Sequence, residues 1–235
     1  MGDPFVIAPG GGEVVGDAPD RRVEILCEHD ALHATWARFG PRRDGADLHV
    51  HRGHTDLFYV LEGELTVRLG SAGEEVTLPA GTLARVPPLV VHGFRNASDA
   101  EVRYLNFHAP GVGFADYMRG LRDGTPRAFD QEPPPADGGR PATEAAIGAA
   151  TQLAHVEALT IAEVRGDKVD PSPRVHRHAV SFYVLEGELA IAAGDRELRA
   201  EAGSWVQVPA GVAHAVTGPA RHLSIHAPGS GLVPG

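Results

Sequence analysis

The stretch Phe58-Tyr59-Val60-Leu61-Glu62-Gly63-Glu64-Leu65 returns unchanged as Phe182-Tyr183-Val184-Leu185-Glu186-Gly187-Glu188-Leu189. An identity of this length within one chain marks a duplicated module. The landmarks around it recur in the same order: Pro87 answers to Pro209, and His108-Ala109-Pro110-Gly111 to His226-Ala227-Pro228-Gly229. The offset between paired landmarks shrinks slowly along the chain, as small insertions and deletions would make it. The 235 residues therefore divide into two domains. Residues 1–121 form the first with a trailing helix, 122–145 a linker, and 146–235 the second.

Between the landmarks the segments are short, apolar and β-branched, and Gly, Pro and Asp interrupt them. Leu65 to Leu69, Leu83 to Val86, Val102 to Phe107, Leu159 to Val164, Trp205 to Val208 and His222 to His226 all read as strands. Many short strands at regular spacing predict an all-β sandwich or barrel in each half. One helix interrupts them, because Phe114, Tyr117, Met118 and Leu121 fall at i, i+3, i+4 and i+7 and form one apolar stripe for packing. From Arg122 to Arg140 the chain is rich in Pro, Gly and Asp, including Pro133-Pro134-Pro135, which predicts an extended connection. Alanine-rich Ala142 to Ala154 is read as a short helix.

A chain of this size buries about 70% of the surface its unfolded form exposes, so it needs no disulfide. Its lone cysteine, Cys27, cannot form a disulfide within the chain, and a single thiol suits the cytoplasm. The opening Met1-Gly2-Asp3-Pro4-Phe5-Val6 lacks the basic start and apolar run of a secretory signal. A formal net charge of -10 disfavours nucleic acid and anionic membranes. Small molecules are the expected partners.

The chemistry is expected in the histidines. His49 and His51, two apart in a predicted strand, project to one face, where two imidazoles can hold one ion. Asp56 follows them, and a later segment brings His92 and Asn96. A strand-borne pair joined by single residues from further segments is a common way to assemble an open transition-metal site. With 13 histidines, roughly one His-x-His pair arises by chance. Here there are two, the second being His176 and His178, each just ahead of the same octapeptide.

These motifs resemble those of the cupins, and the chain as a whole resembles a bicupin. The first cupin motif, His-x-His followed by an acid and a glycine, reads here as His49, His51, Asp56 and Gly63. The second, with glycine, Pro-x-Gly, histidine and asparagine, reads as Gly81, Pro87, Leu89 in place of glycine, His92 and Asn96. In the second half it reads as Gly203, Pro209, Gly211 and His214, with Gly218 at the asparagine position. The resemblance implies two tandem jelly-roll barrels with inward histidines. It also implies one divalent transition metal, Fe, Mn, Ni, Cu, Co or Zn, in the first barrel, and dimerisation through strand exchange. Similarity to quercetinase-like bicupins implies dioxygen-dependent oxidation or cleavage of a small organic substrate, with Asp56, if it swings free, as general base. A redox-inactive ion would instead suit Lewis-acid isomerisation or hydrolysis, and members without catalysis also exist.

The departures from the motif leave two questions open. Asp56 is one methylene, about 1.5 Å, shorter than the usual glutamate, while metal–oxygen bonds span only ~2.0 to 2.2 Å. Either its strand moves inward or a water fills the gap. In the second half Val180 stands at the acid position, His176 aligns with His51, His178 with His54, and His49 is replaced by Pro173 or Arg174. Either a shortened loop restores a second metal site from His176, His178 and His214, or this barrel has lost its ion.

Other residues invite function. His108 and His226 read as strand-end histidines bonded to backbone, the alternative being imidazoles inside the barrels; Tyr104 and Asn106 share the face of His108 and are candidate pocket liners. Arg85 and Gln207 read as outer-face residues. Asn96-Ala97-Ser98 matches a glycosylation acceptor, a match taken as empty.

Overall fold

The computed structural model describes residues 2–150, 155–156, 159–166 and 172–228. Two units emerge, Glu13–Leu153 and a second made of Met1–Gly12 with Ala154–Gly235. In the first unit a seven-stranded sheet runs, in spatial order, Ala146–Ala149, Thr82–Val86, Thr55–Glu62, Val102–Ala109, Leu32–Phe39, Arg21–His29 and Glu13–Ala18. A three-stranded sheet, Glu74–Pro79, Glu64–Leu69 and His92–Arg95, faces it. The second unit repeats the plan. Its six strands run Phe5–Ile7, Trp205–Val208, Ala179–Glu186, Arg221–Ala227, Leu159–Arg165 and His155–Val156, beside a sheet of Arg196–Glu201, Glu188–Ala193 and His214–Thr217. Each is a jelly-roll barrel, as expected.

The repeated octapeptide supplies the central strand of each large sheet. Leu57, Phe58, Tyr59 and Val60 are all at most 1% exposed, so both faces are covered and the strand reads as a continuous apolar run. Phe58 and Val60 point into the barrel with Leu65, Val67, Leu78 and Tyr104; Phe182 and Val184 do the same with Leu189, Ile191 and Val206. The strand ends at Gly63, where φ is +74° and a Cβ would lie 2.4 Å from the Glu101 carbonyl oxygen, so no other residue fits.

The domain boundaries differ from the expected ones at both ends. Phe5–Ile7 pairs with Trp205–Val208 of the second unit, and Ala146–Ala149 pairs with Thr82–Val86 of the first. In each barrel the strand before the second-motif proline presents an open edge, and the segment preceding the other barrel fills it. Edge pairing also explains why residues 142–149 do not form the expected helix: one 3₁₀ turn, Ala142–Glu144, leads into the strand Ala146–Ala149, tertiary context overriding alanine's propensity. Residues 151–154 of that stretch, like Gly229 of the repeated tetrapeptide, lie outside the described residues.

The segment read as a linker is extended, but it is laid along the first barrel. The Val50 N–H donates to Glu132 O at 2.9 Å, the Glu132 N–H to Val50 O at 3.0 Å, and the Arg140 N–H to Leu89 O at 2.8 Å. The helix forms over Phe114–Asp123. Met118 is buried and Phe114 and Tyr117 pack on the core, but Leu121 is 52% exposed. Among the described residues no helix is long and apolar enough to cross a membrane.

Candidate metal centre

His49 and His51 lie on an extended stretch held to the mouth of the first barrel. The His49 N–H donates to His92 O at 2.8 Å and the His92 N–H to His49 O at 2.9 Å, which sets the two segments side by side. Val50, between the two histidines, is buried on the opposite face, as alternation requires. All three rings have Nδ1 against a backbone carbonyl: His49 on Asp47 O at 2.6 Å, His92 on Val90 O at 2.9 Å, and His51 on Asp130 O. A carbonyl only accepts, so each Nδ1 carries a proton, and in the neutral ring each Nε2 then presents a lone pair.

Those lone pairs converge. Nε2 of His49 and of His51 are 3.2 Å apart, a repulsive arrangement for two acceptors unless a cation lies between them. Two imidazoles on one tetrahedral ion at ~2.0 to 2.1 Å would stand about 3.4 Å apart. Oδ2 of Asp56 completes the group, 3.3 Å from His92 Nε2 and 3.7 Å from His51 Nε2. The ligand atoms of His49, His51, Asp56 and His92 all lie within 4.8 Å of one another, and all four residues are buried. The shorter acid thus reaches the histidine nitrogens. It does so from a strand whose register sets it opposite Val86 and His108, with its side chain inside the barrel.

The electrostatics prepare this group for a cation. Burial pushes His49 down to about 3, with His92 adding to it, so its imidazole is neutral. Burial opposes ionisation of Asp56, but His108, His51 and His92 outweigh it and hold the carboxyl well below its usual range. Asn106 Nδ2 also donates to Asp56 Oδ1. Three imidazoles around one buried carboxylate fit a divalent ion of the kind that takes nitrogen and oxygen ligands.

Beside the group opens a cavity of about 370 Å³, lined by His49, His51, Asp56 and His108 and walled by aromatic residues that include Phe39, Phe94, Tyr104 and Phe114. Tyr104 and Asn106 line it, as alternation predicts; Phe58 stands behind Phe94, with ring centroids 5.0 Å apart. His108 is not a backbone-bonded strand end. Its Nε2 lies 3.4 Å from Asp56 Oδ1 and its ring packs on Phe114 at 4.0 Å. Asn96 is buried and structural, its Nδ2 donating to Gly40 O and Ala100 O, both at 2.7 Å. Gln207 is buried rather than outward, accepting from Ser181 Oγ at 2.9 Å.

Sequence reasoning missed three contributors. His54 is buried in the same cluster, its ring 4.0 Å from that of His51; its position two residues before Asp56, on the same strand face, was the available signal. Asp130 and Phe129 carried none. They come from the proline-rich segment: Asp130 accepts from the Arg52 N–H at 2.8 Å, the Gly53 N–H at 2.7 Å and His54 Nδ1 at 2.9 Å. Phe129 stacks on Tyr117 at 5.2 Å and lines the cavity.

In the second barrel the backbone equivalences are legible bond by bond. The Gly211 N–H donates to His176 O as the Leu89 N–H donates to His51 O, and Arg174 exchanges backbone bonds with His214 as His49 does with His92. Arg174 therefore replaces His49, and Val180, opposite His226 and Val208, replaces Asp56. His176 and His178 do converge, but their third neighbour is His226. His214 turns its Nδ1 to Val212 O at 3.2 Å and its ring lies 5.4 Å from that of His176.

Known proteins agree with this architecture. Quercetin 2,3-dioxygenase of Bacillus subtilis is 31% identical over 122 residues, which cover 51% of this chain and 35% of that protein. The match therefore spans about a third of the relative's length. Among solved structures, protein Ylba from E. coli superposes with a TM-score of 0.68 at 14% identity, covering 96% of this chain and 91% of that one. AerE from Microcystis aeruginosa gives 0.63 at 13% identity, covering 95% and 98%. A variant of Bacillus subtilis oxalate decarboxylase gives 0.62 at 13%, covering 97% and 78%. The sequence profile of the cupin domain matches twice, over residues 35–108 and 161–226, and with one match in each barrel the chain belongs to the cupin family.

Proposed function

We propose that the first barrel holds a divalent transition ion through His49, His51, His92 and Asp56, and that the protein oxidises or cleaves a small organic substrate with dioxygen. The observation that carries this reading is the convergence of three Nε2 lone pairs and one carboxylate oxygen at the wall of an aromatic cavity. Similarity to a quercetin 2,3-dioxygenase supports the reaction class. When bound, such an ion supplies a Lewis acid and, if redox-active, an electron relay.

The chain's own residues do the rest. Carbonyls of Asp47, Val90 and Asp130 fix the three ring tautomers, so the donor atoms are oriented before anything binds. Phe39, Phe94, Phe114 and Phe129 exclude water and offer flat apolar faces to an aromatic substrate. Asp56 turns Oδ2 to the histidines and Asn106 holds its Oδ1; swung free of the ion, its carboxylate would be the base that takes a substrate proton.

Elemental analysis of purified protein, with oxygen uptake in the presence of quercetin as first probe, tests the reading. We expect metal in the wild type, its loss in His49→Ala and His92→Ala, and oxygen consumption that follows metal content. Absence of metal in the wild type, or unchanged metal in both variants, would overturn it. Zinc with no oxygen uptake would move the reading to Lewis-acid isomerisation or hydrolysis in the same cavity.

A further inference from the structure

We propose that the second barrel carries its own transition-metal site, built from the three imidazoles of His176, His178 and His226 and displaced from the position equivalent to the first barrel's group. Ligand atoms of these three residues all lie within 4.8 Å of one another, and all three are half-buried, close enough to solvent for an ion to enter. They come from the approach to the central strand and from the last strand, Arg221–Ala227, so the barrel wall fixes their separation. His178 Nε2 stands 3.0 Å from His226 Nδ1, and His226 Nε2 stands 3.1 Å from Ser224 Oγ. Ring centroids are 5.3 Å apart for His176 and His178, 4.9 Å for His176 and His226, and 5.3 Å for His178 and His226. Three nitrogens on one tetrahedral ion need spacings of about 3.4 Å, a distance within which the His178 and His226 nitrogens already stand.

The position equivalent to the first barrel's group lacks two of its four donors. Arg174 brings a positive charge where His49 stands, and Val180 brings a methyl-bearing side chain where Asp56 stands. What survives the duplication is a different constellation. His51, His54 and His108 of the first barrel form a converging trio, and His176, His178 and His226 are their counterparts in the second. In the first barrel that trio shares His51 with the four-donor group, and one lone pair serves one ion. Among the described residues of the second barrel no second donor group shares His176.

Donor chemistry selects the class of ion. A site of imidazoles alone, with no carboxylate, suits Zn, Cu or Ni and disfavours Mg, Ca and Mn, and three ligands leave a position for water or a small anion. Zinc is therefore the probe. The metal-stripped full chain is titrated with Zn²⁺ against a chromophoric chelator, and bound ions are counted by native mass spectrometry.

The expected result is that His226→Gln and His178→Gln each hold one zinc ion fewer than the wild type, with unchanged circular dichroism, whereas His92→Ala loses a different ion. Combining His92→Ala with His178→Gln removes both. If the first barrel takes no metal, the wild type holds one zinc ion and His226→Gln holds none, so failure of that earlier reading is distinguishable. Should His226→Gln fold poorly, His178→Gln, at a half-buried position, carries the test. Folded glutamine variants that bind as many zinc ions as the wild type overturn the site.

Discussion

Replacing Asp130 with alanine tests whether the proline-rich segment is a free connection or a structural strap of the first barrel. The side chain accepts three hydrogen bonds, from the backbone of Arg52 and Gly53 and from His54 Nδ1. The His54 ring is 0% exposed, so water cannot replace its lost partner, and a buried donor left unpaired costs about 1 to 3 kcal/mol. The two backbone donors lie at the surface and recover water, adding only a fraction of that. A net loss of about 2 kcal/mol is expected, which for a unit of this size lowers the melting temperature by roughly 6 °C. The same change loosens the carbonyl that orients His51, and disturbing such a partner of a metal-binding histidine typically weakens metal affinity 10- to 100-fold, as an order of magnitude. Asp130→Asn keeps an acceptor oxygen and should lose about half as much stability, since hydrogen bonds to charged groups are roughly twice as strong as neutral ones. Calorimetry is the appropriate assay, because two units need not melt together, with chelator competition for the metal. A melting temperature and affinity equal to those of the wild type would refute the strap, since surface changes outside such features stay within about 0.5 kcal/mol.

The identical octapeptides should respond unequally to one substitution. Gly63→Ala and Gly187→Ala both force alanine to positive φ, costing about 1 to 2 kcal/mol. At Gly63, however, the new Cβ lies 2.4 Å from the Glu101 carbonyl, against 3.4 Å for the nearest atom at Gly187. Overpacking should add about 1 to 3 kcal/mol at Gly63 alone, so equal losses in urea unfolding would count against the described turns. Acid should destabilise the metal-free first unit well before its carboxylates titrate. Burial holds His33 and His49 down to about 3 and His54 to about 4. Unfolded imidazoles take up protons below about 6.5, so the stability is complete above that pH and is lost as pH falls towards the folded values. Each group contributes up to about 1.4 kcal/mol per pH unit in that window; a urea midpoint that stays flat between about pH 7 and pH 5 would contradict it. Adding a binding ion at about a hundredfold excess over its dissociation constant should restore about 2.7 kcal/mol, read as a higher melting temperature, and chelation should reverse it.

Much of this molecule follows from local order. The octapeptide and its flanking landmarks establish a duplication, because a repeated sequence folds into a repeated strand. Alternation alone places His49 with His51, and Tyr104 with Asn106 and His108, since successive side chains in an extended chain point to opposite faces. Val180 at the acid position already marks the second barrel as different from the first. Tertiary structure alone decided how the chain returns. Nothing in the spacing of Phe129 and Asp130 connects them to His51 and His54, which lie far away in sequence, and a run of prolines reads as a linker whether or not its carbonyls find donors. Likewise the exchange of Phe5–Ile7 and Ala146–Ala149 between the barrels answers to open sheet edges, which exist only once the sheets have formed. His226 became the neighbour of His176 and His178 for the same reason: pairing of the last strand with the central one sets which imidazole reaches them, and that pairing is a property of the closed barrel.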